Sequence, residues 1–438
     1  MAVTSLRGEV TDLLSRLIRV DTTNPPGNET AAAEVLREYL AASGVECELY
    51  SRVPERANLV ARIRGTGDGP SLLLLSHTDV VLADPREWTV PPFSGELKDN
   101  ESWGPCIWGR GALDMKGQVA ANAVAIASLA REGFQPAGDL IFAATADEEV
   151  GDGFGLQWLC EEHPDAVRCD YAINEGAGDR LDLGGGIYYI CSTAEKMTAP
   201  FNVRVHGRSG HASMPGIADN ALVKAAVLVQ RLAAYRPEAE LQQEVEAFLR
   251  IVLGEVPAAG SVLERARAVH PLAAELVEPL LALTFAPTMI SASQKRNVIP
   301  ALCEIVVDCR LLPGQSPEAV DAIVHEVLGA DVPYDVEWLE AQGGTRSALD
   351  TPLWDAVDAF VEQLEPDARA VPICTAGFTD SHWLREAFGT TAYGFFPARA
   401  MPPEVAAQLI HSADERVPAD DLELGLDWLR FAARAVCG

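Results

Sequence analysis

Residues 71–80 read Ser-Leu-Leu-Leu-Leu-Ser-His-Thr-Asp-Val, and this stretch decides the fold. Four consecutive leucines (72–75) follow the turn Gly65-Thr66-Gly67-Asp68-Gly69-Pro70. A short apolar run bounded in this way fits a strand buried on both faces, as in a parallel sheet covered by helices. His77 and Asp79 sit at its end, two residues apart, so an extended backbone presents both on one face. Two further runs have the same form. DLIFAATADEE (139–149) is apolar until Asp147, Glu148 and Glu149, and YAINEG (171–176) ends in Glu175.

The segments between these runs have helical character. Residues 5–20 show helical spacing, Thr30 to Ser43 ends at Gly44, and 117–132 is rich in alanine. NLVARI (58–63) adds another strand. Strands alternating with helices indicate an open α/β layer. Ligands in such sheets bind at the carboxyl ends of the strands, where these acidic and imidazole side chains lie.

The texture changes near residue 195. PFNVRVHGRSGHASMP alternates like a half-exposed strand, NALVKAAVLVQRLAAY is an amphipathic helix, and 236–283 reads as an acidic helical insert. TMISASQKRNVIP and ALCEIVVDCRLLP form a strand pair about Pro300-Ala301. PEAVDAIVHEVLG is a helix and YDVEWLEA (334–341) a last strand. The order is βαββαβ, with the insert after its first helix. It predicts an α+β domain over 195–346, inserted into a mostly parallel α/β domain made of 1–194 and 347–438.

Composition narrows the function. The 438-residue chain carries 34 basic and 64 acidic residues, a formal net charge of −30. Such a field repels phosphate, so no nucleic acid partner and no anionic membrane surface is expected. Nine cysteines are scattered without a CxxC pair, which fits reduced thiols in a cytoplasm. The first twenty residues lack the apolar core of a signal peptide, and no stretch approaches the ~18 apolar residues of a membrane span. The expectation is a cytoplasmic globular protein.

Carboxylates and imidazoles gathered on one rim suit a divalent cation such as zinc. His77 and Asp79 could form a ligand with a carboxylate behind its second ring nitrogen, or an ordinary His–Asp pair. Asp114, in the glycine-rich turn IWGRGALDMKGQ, could bridge two ions or cap a helix. Glu148 and Glu149 point to opposite sides of an extended chain, so one could ligate and the other act as a base. They could also be a solvated strand end, as could Glu175. His411, in LIHSADERV, is a lone loop histidine when taken singly. The joint arrangement favours metal chemistry.

Two other enzyme classes fit poorly. The glycine-rich turn at 65–69 precedes its strand and is not GxGxxG, so it cannot cradle a nucleotide. Ser209 in GRSGH lacks the GxSxG elbow of many serine hydrolases.

SHTDVV, WGRGALDMKG, TADEEVG, INEGAG, GRSGHASMP and HSADE resemble, in order, the motifs of metallopeptidase family 20. That is the dinuclear zinc family of aminoacylases, acetylornithine and succinyl-diaminopimelate deacylases and glutamate carboxypeptidases. The resemblance covers nearly the whole chain. It implies that Asp114 bridges two zinc ions (or cobalt or manganese), with His77 and Glu175 completing one site and Glu149 and His411 the other. Asp79 would orient His77, Glu148 would be the catalytic base, and the Asp114–Met115 peptide would be cis. The inserted domain would be a lid and dimerisation module of a homodimer, lengthened by 236–283 as in longer, carboxypeptidase-S-like forms. Its His211 would stabilise the oxyanion in the neighbouring subunit, while Asn297 and Arg310, on adjoining strands, and the loop residues Gly377 and Thr379 would hold a substrate carboxylate.

Two substrate classes remain, N-acyl amino acids and short peptides trimmed by a carboxypeptidase or dipeptidase. Glutamate rather than aspartate at position 175 resembles the acylase and carboxypeptidase branch. Arg310 fits either substrate, and the N-acyl amino acid is preferred. A non-catalytic relative that only binds a ligand is the remote alternative, since no ligand or base is missing.

Overall fold

The computed structural model describes residues 5–339 and 344–438. Two compact units emerge, one of Met1–Thr193, Ser347–Ile373 and Thr379–Gly438, the other of Ala194–Arg346 and Cys374–Phe378.

In the first unit the Leu72–His77 strand lies between Leu140–Thr145 and Tyr171–Asn174 and runs parallel to both. Tyr171–Asn174 pairs in parallel with Thr391–Gly394 on its other side. Ala57–Ile63 and then Glu46–Ser51 extend the sheet antiparallel at one end. Beyond Thr391–Gly394 the path continues through Gly186–Glu195 to Ala368–Thr375. The α/β class with a parallel centre is thus as expected.

Every residue of Leu72–His77 and of Leu140–Thr145 is buried. Burying a leucine contributes about 1.5–3 kcal/mol, so these runs anchor the sheet and fix where its rim falls. The Lys116–Arg131 helix is buried from Lys116 to Leu129. Its alanines keep it thin enough to share one core with the sheet and with Leu13, Leu17, Trp428 and Leu429 of the first and last helices. A helix apolar all round belongs in a core. Lys116 Nζ is buried with it and donates to the Leu17 and Val20 carbonyls at 3.2 and 2.7 Å.

The second unit is built on an antiparallel sheet. Phe201–His206 lies between Leu302–Leu311 and Tyr334–Trp338, and Thr284–Ser291 pairs with the outer side of Leu302–Leu311. Alternation along LCEIVVDCRL buries Cys303, Ile305, Val307, Cys309 and Leu311. They pack with Ala221, Ala225 and Leu228 of one helix and Val320 and Val324 of another. Segment 236–283 contains the helices Gln243–Leu253, Val262–Val269 and Pro271–Val277.

Three sequence expectations need correction or completion. TMISASQKRNVIP is not one strand, because Thr284–Ser291 ends before a turn and only Val298–Ile299 resumes, paired with Gly210–His211. Asn297 therefore sits in a turn rather than on a strand beside Arg310. Polar, charged Gln294-Lys295-Arg296 has no face to bury, which breaks the run. Strand Tyr334–Trp338 is shorter than the expected 334–341, of which Glu340 and Ala341 lie outside the described residues. The edge strand Glu46–Ser51, the hairpin Glu96–Asn100/Gly104–Trp108 and the long strand Gly186–Glu195 carry no pattern that the sequence reading detected. Among the described residues no helix is long and apolar enough to cross a membrane.

Candidate metal centre

Three adjacent parallel strands end together and deliver the first side chains. His77 is the last residue of its strand, paired with Thr145, and Glu175 follows Asn174 directly. After Thr145 the chain turns through Asp147, whose φ of 68° is left-handed, and brings in Glu148 and Glu149. Asp114 comes from the turn before the buried alanine-rich helix, and its peptide bond to Met115 is cis. His411 (φ 60°) lies in the loop after Pro403–Leu409. Among the described residues, the non-glycine positions with left-handed backbone are Asp147, His411 and Asp414, all in loops carrying this cluster. Side chains with a Cβ rarely adopt that conformation, and proteins tend to keep it at functional sites.

Asp114 is the hub. Its Oδ1 lies 3.2 Å from His77 Nε2 and its Oδ2 lies 3.0 Å from His411 Nε2. Glu175 Oε1 stands 3.8 Å from His77 Nε2, and Glu149 Oε2 stands 3.4 Å from His411 Nε2. Two triads that could each hold an ion result, His77–Asp114–Glu175 and Asp114–Glu149–His411, each with donor atoms within 4.8 Å of one another. Glu148 Oε2 is 4.0 Å from His77 Nε2 but belongs to neither triad.

The electrostatics call for positive charge. Asp79, Asp114, Glu148, Glu149 and Glu175 crowd around two imidazoles, and the buried Oε1 of Glu149 accepts no hydrogen bond. Burial pushes the Glu148 carboxyl well above its usual range, helped by the charge of Glu175. Glu175 is raised by burial as well. Burial also acts upward on Asp114, but hydrogen bonds from His411 and His77 outweigh it and hold the group low. Hydrogen bonds to Asp114 and Glu149 lift His411 to about 10. Hard carboxylate oxygens and imidazoles with one unsatisfied buried oxygen fit a pair of divalent ions.

Residues behind the ligands fix them. Asp79 accepts from the main-chain N–H of Glu148 (3.2 Å) and of Glu149 (3.1 Å), and from Asn24 Nδ2 (2.9 Å). Its contact with His77 is weaker than expected: Nδ1 meets the Asp79 carbonyl oxygen at 3.0 Å and the carboxylate at 3.5 Å. Asp79 thus positions the paired glutamates at least as firmly as the imidazole. Asp147 completes this layer, accepting from Asn24 Nδ2, Arg56 Nη2 and the Phe154 N–H at 3.2, 3.0 and 2.9 Å.

Glu415, fully buried, holds the Asp114 turn. One of its oxygens accepts from the N–H of Leu113 and Asp114, and the other from the Gly111 N–H and Arg110 Nη1. Asn24, Asp147 and Glu415 escaped the sequence reading. For Glu415 the available signal was an acidic residue four positions after His411.

The sequence profile of peptidase family M20/M25/M40 matches residues 73–435. The chain belongs to this family. Succinyl-diaminopimelate desuccinylase of Paracoccus denitrificans is 27% identical over 94% of each chain. Aminoacylase-1 of Sus scrofa is 27% identical over 92% of this chain and 89% of its own. Among solved structures, the M20 metallo-carboxypeptidase Sso-CP2 of Sulfolobus solfataricus superimposes with a TM-score of 0.75 at 18% identity, over 98% of this chain and 99% of that one. The YXEP protein of Bacillus subtilis, described as a dinuclear metal-binding M20 peptidase, gives 0.65 at 14% identity, over 99% of each chain. As an M20 member the chain is a hydrolase of the metallopeptidase and amidohydrolase kind.

The remaining expected site residues belong to neither triad. His211 is exposed on the second unit, its Nδ1 2.8 Å from Ser213 Oγ, and it pairs with Val298 next to Asn297. The Asn297 carbonyl accepts from the Ala212 N–H at 3.0 Å. Arg310 is far from both. It stands eight residues along its strand from Leu302, roughly 27 Å at ~3.4 Å per residue, and its Nε donates to Asp308 at 3.0 Å. Gly377 shares the Arg310 end, where the Lys196 N–H donates to the Thr375 carbonyl and Thr198 pairs with Arg310. Thr379 is buried in the first unit, and its Oγ1 accepts from the Ser381 N–H at 3.2 Å.

Proposed function

We propose that this M20 hydrolase cleaves the amide bond of N-acyl amino acids at a centre of two divalent ions, zinc in the first instance with cobalt or manganese as alternatives. One observation carries the reading: the two oxygens of Asp114 face two different imidazoles, each backed by its own glutamate. His77 and Glu175 hold one ion with Asp114, and Glu149 and His411 the other. Bound ions would supply positive charge that lowers the pKa of a water toward ~7 and polarises the amide carbonyl.

The side chains do the rest. Glu148 accepts the proton of the attacking water and returns it to the departing amine. Its Oε2 stands 4.0 Å from His77 Nε2 and outside both triads, so it is not committed as a ligand and can serve both transfers. Asp79 keeps Glu148 and Glu149 at their stations. His211 donates to the oxyanion of the tetrahedral intermediate. Asn297, Arg310, Gly377 and Thr379 receive the free carboxylate of the amino acid, with Arg310 as the fork-shaped donor.

The position of Arg310 at the far end of the Leu302–Leu311 strand from the turn that carries Asn297 supports a homodimer in which His211 and Asn297 serve the neighbouring subunit. Val223 (63% exposed) on the Ala221–Ala234 helix, with Met289 (67%) and Ile290 (51%) on the edge strand Thr284–Ser291, offers an apolar surface for it. Under this reading 1–194 and 347–438 form the catalytic domain and 195–346 the lid. All nine cysteines are free thiols, in keeping with a cytoplasmic setting.

The deacylase names of both sequence relatives favour N-acyl amino acids over peptides. Chelator-stripped protein reloaded with zinc should deacylate N-acyl amino acids in proportion to bound metal. Cleavage of dipeptides alone would overturn the substrate class.

A further inference from the structure

We infer that the acyl group of the substrate enters an apolar cavity beside Glu175 that admits uncharged aliphatic chains and rejects acyl groups ending in a carboxylate. This rests on the N-acyl amino acid reading above.

The cavity measures about 250 Å³ and is lined by the ligands Asp114 and Glu175 on one side. It therefore adjoins the residues that would hold the ions, beside which the scissile carbonyl would lie. Leu113, Phe396, Met401, Ile410 and Val417 form much of the remaining wall. Ile410, next to His411, leaves 42% of its surface exposed. An acyl chain passing the metal centre would cover it. Burying each added methylene is worth about a fourfold gain in binding.

The wall contains no lysine, arginine or histidine. It does contain two further carboxyl groups, Asp179 and Asp421. Asp421 is committed, accepting from the N–H groups of Arg399, Ala400 and Met401 at 2.8, 2.8 and 3.0 Å. Asp179 has no cation opposite it, and burial with the charge of Asp421 raises its carboxyl to about 6. A succinyl chain would bring its distal carboxylate into apolar surroundings against like charge, with nothing to pair it. An unpaired buried charge is among the most costly arrangements a protein can hold. A neutral chain of the same length meets no such penalty.

The test uses the zinc-loaded full chain and N-acetyl, N-butyryl, N-hexanoyl and N-succinyl derivatives of one amino acid. The value of kcat/KM should rise at least tenfold from acetyl to hexanoyl, and succinyl should fall at least 100-fold below butyryl, its four-carbon neutral counterpart. Ala406→Phe, which fills the cavity, should reverse the order of chain length. Asp179→Asn should narrow the butyryl-to-succinyl ratio at least tenfold. Hydroxamate inhibitors with hexanoyl and succinyl tails give the same comparison on the unmodified enzyme, in case a variant fails to fold. Succinyl turned over as fast as butyryl would overturn the cavity assignment and leave the hydrolase reading standing. Failure on every N-acyl substrate with cleavage of dipeptides would overturn the substrate reading and the cavity assignment with it.

Discussion

The buried carboxylate of Glu415 accepts a hydrogen bond from the main-chain N–H of Asp114 at 3.0 Å. The same side chain holds Leu113 and Gly111 and pairs with Arg110 at 2.7 Å. Glu415 is four residues beyond His411, so one segment both supplies His411 to its triad and fixes the turn that carries Asp114. Glu415→Gln keeps the shape but turns an amide NH₂ toward N–H donors. Metal affinity should fall about 10–100-fold, as for other residues that orient ligands. Chelator competition measures it, and an unchanged affinity would detach Glu415 from the centre.

Asp79 makes a parallel case. Its two oxygens hold the N–H groups of the glutamate pair, a task that asparagine can perform with only one oxygen. Asp79→Asn should lower kcat about 10–100-fold with little change in KM, because Glu148 is misplaced while the lid residues are untouched. Steady-state kinetics with circular dichroism as a folding control separate this from general damage.

The dimer surface is open to a charge test. Val223→Asp with Met289→Asp should convert a dimer of the 46.9 kDa chain into a monomer in sedimentation equilibrium. Under the dimer reading the monomer loses most of its activity, because His211 can no longer reach a neighbouring site. A parent protein that sediments as a monomer would refute that arrangement.

Lys196 provides a pH prediction away from the metal centre. Its ammonium is buried, donating to the Pro279 and Ala282 carbonyls at 2.8 Å each, and burial lowers its pKa from 10.5 to about 8. Between these values the unfolded chain binds more protons than the folded one, so this group makes stability rise with pH. Its contribution is full above 10.5 and lost as pH falls through 8. The difference in unfolding free energy between the parent and Lys196→Met should show that slope, and a flat difference from pH 8 to 10.5 would contradict it.

The parallel core was legible because buried strands such as Leu72–Leu75 are written as unbroken apolar runs, and their ends disclose the rim. The triads around Asp114 assemble the residues named from the motifs; all but His411, which follows the Pro403–Leu409 helix, lie at a strand end or in a glycine-rich turn. Partners that act through the main chain were not legible. Glu415 and Asn24 bond groups distant in sequence, and although Glu415 and Asp147 lie within the HSADE and TADEE motifs, the motifs do not say which groups they hold. The expectation that Asn297 lies on a strand adjoining that of Arg310 fails for a related reason, since a turn of charged residues interrupts what reads as one strand.

The most direct test of the central claim is the Glu148→Gln variant, assayed for bound metal and turnover on the same sample. Glu148 lies within 4.0 Å of His77 yet outside both ligand triads. Two ions per chain should remain bound while kcat falls by ~10²–10⁴, the usual contribution of a general base. Turnover near that of the parent with both ions in place would contradict the account.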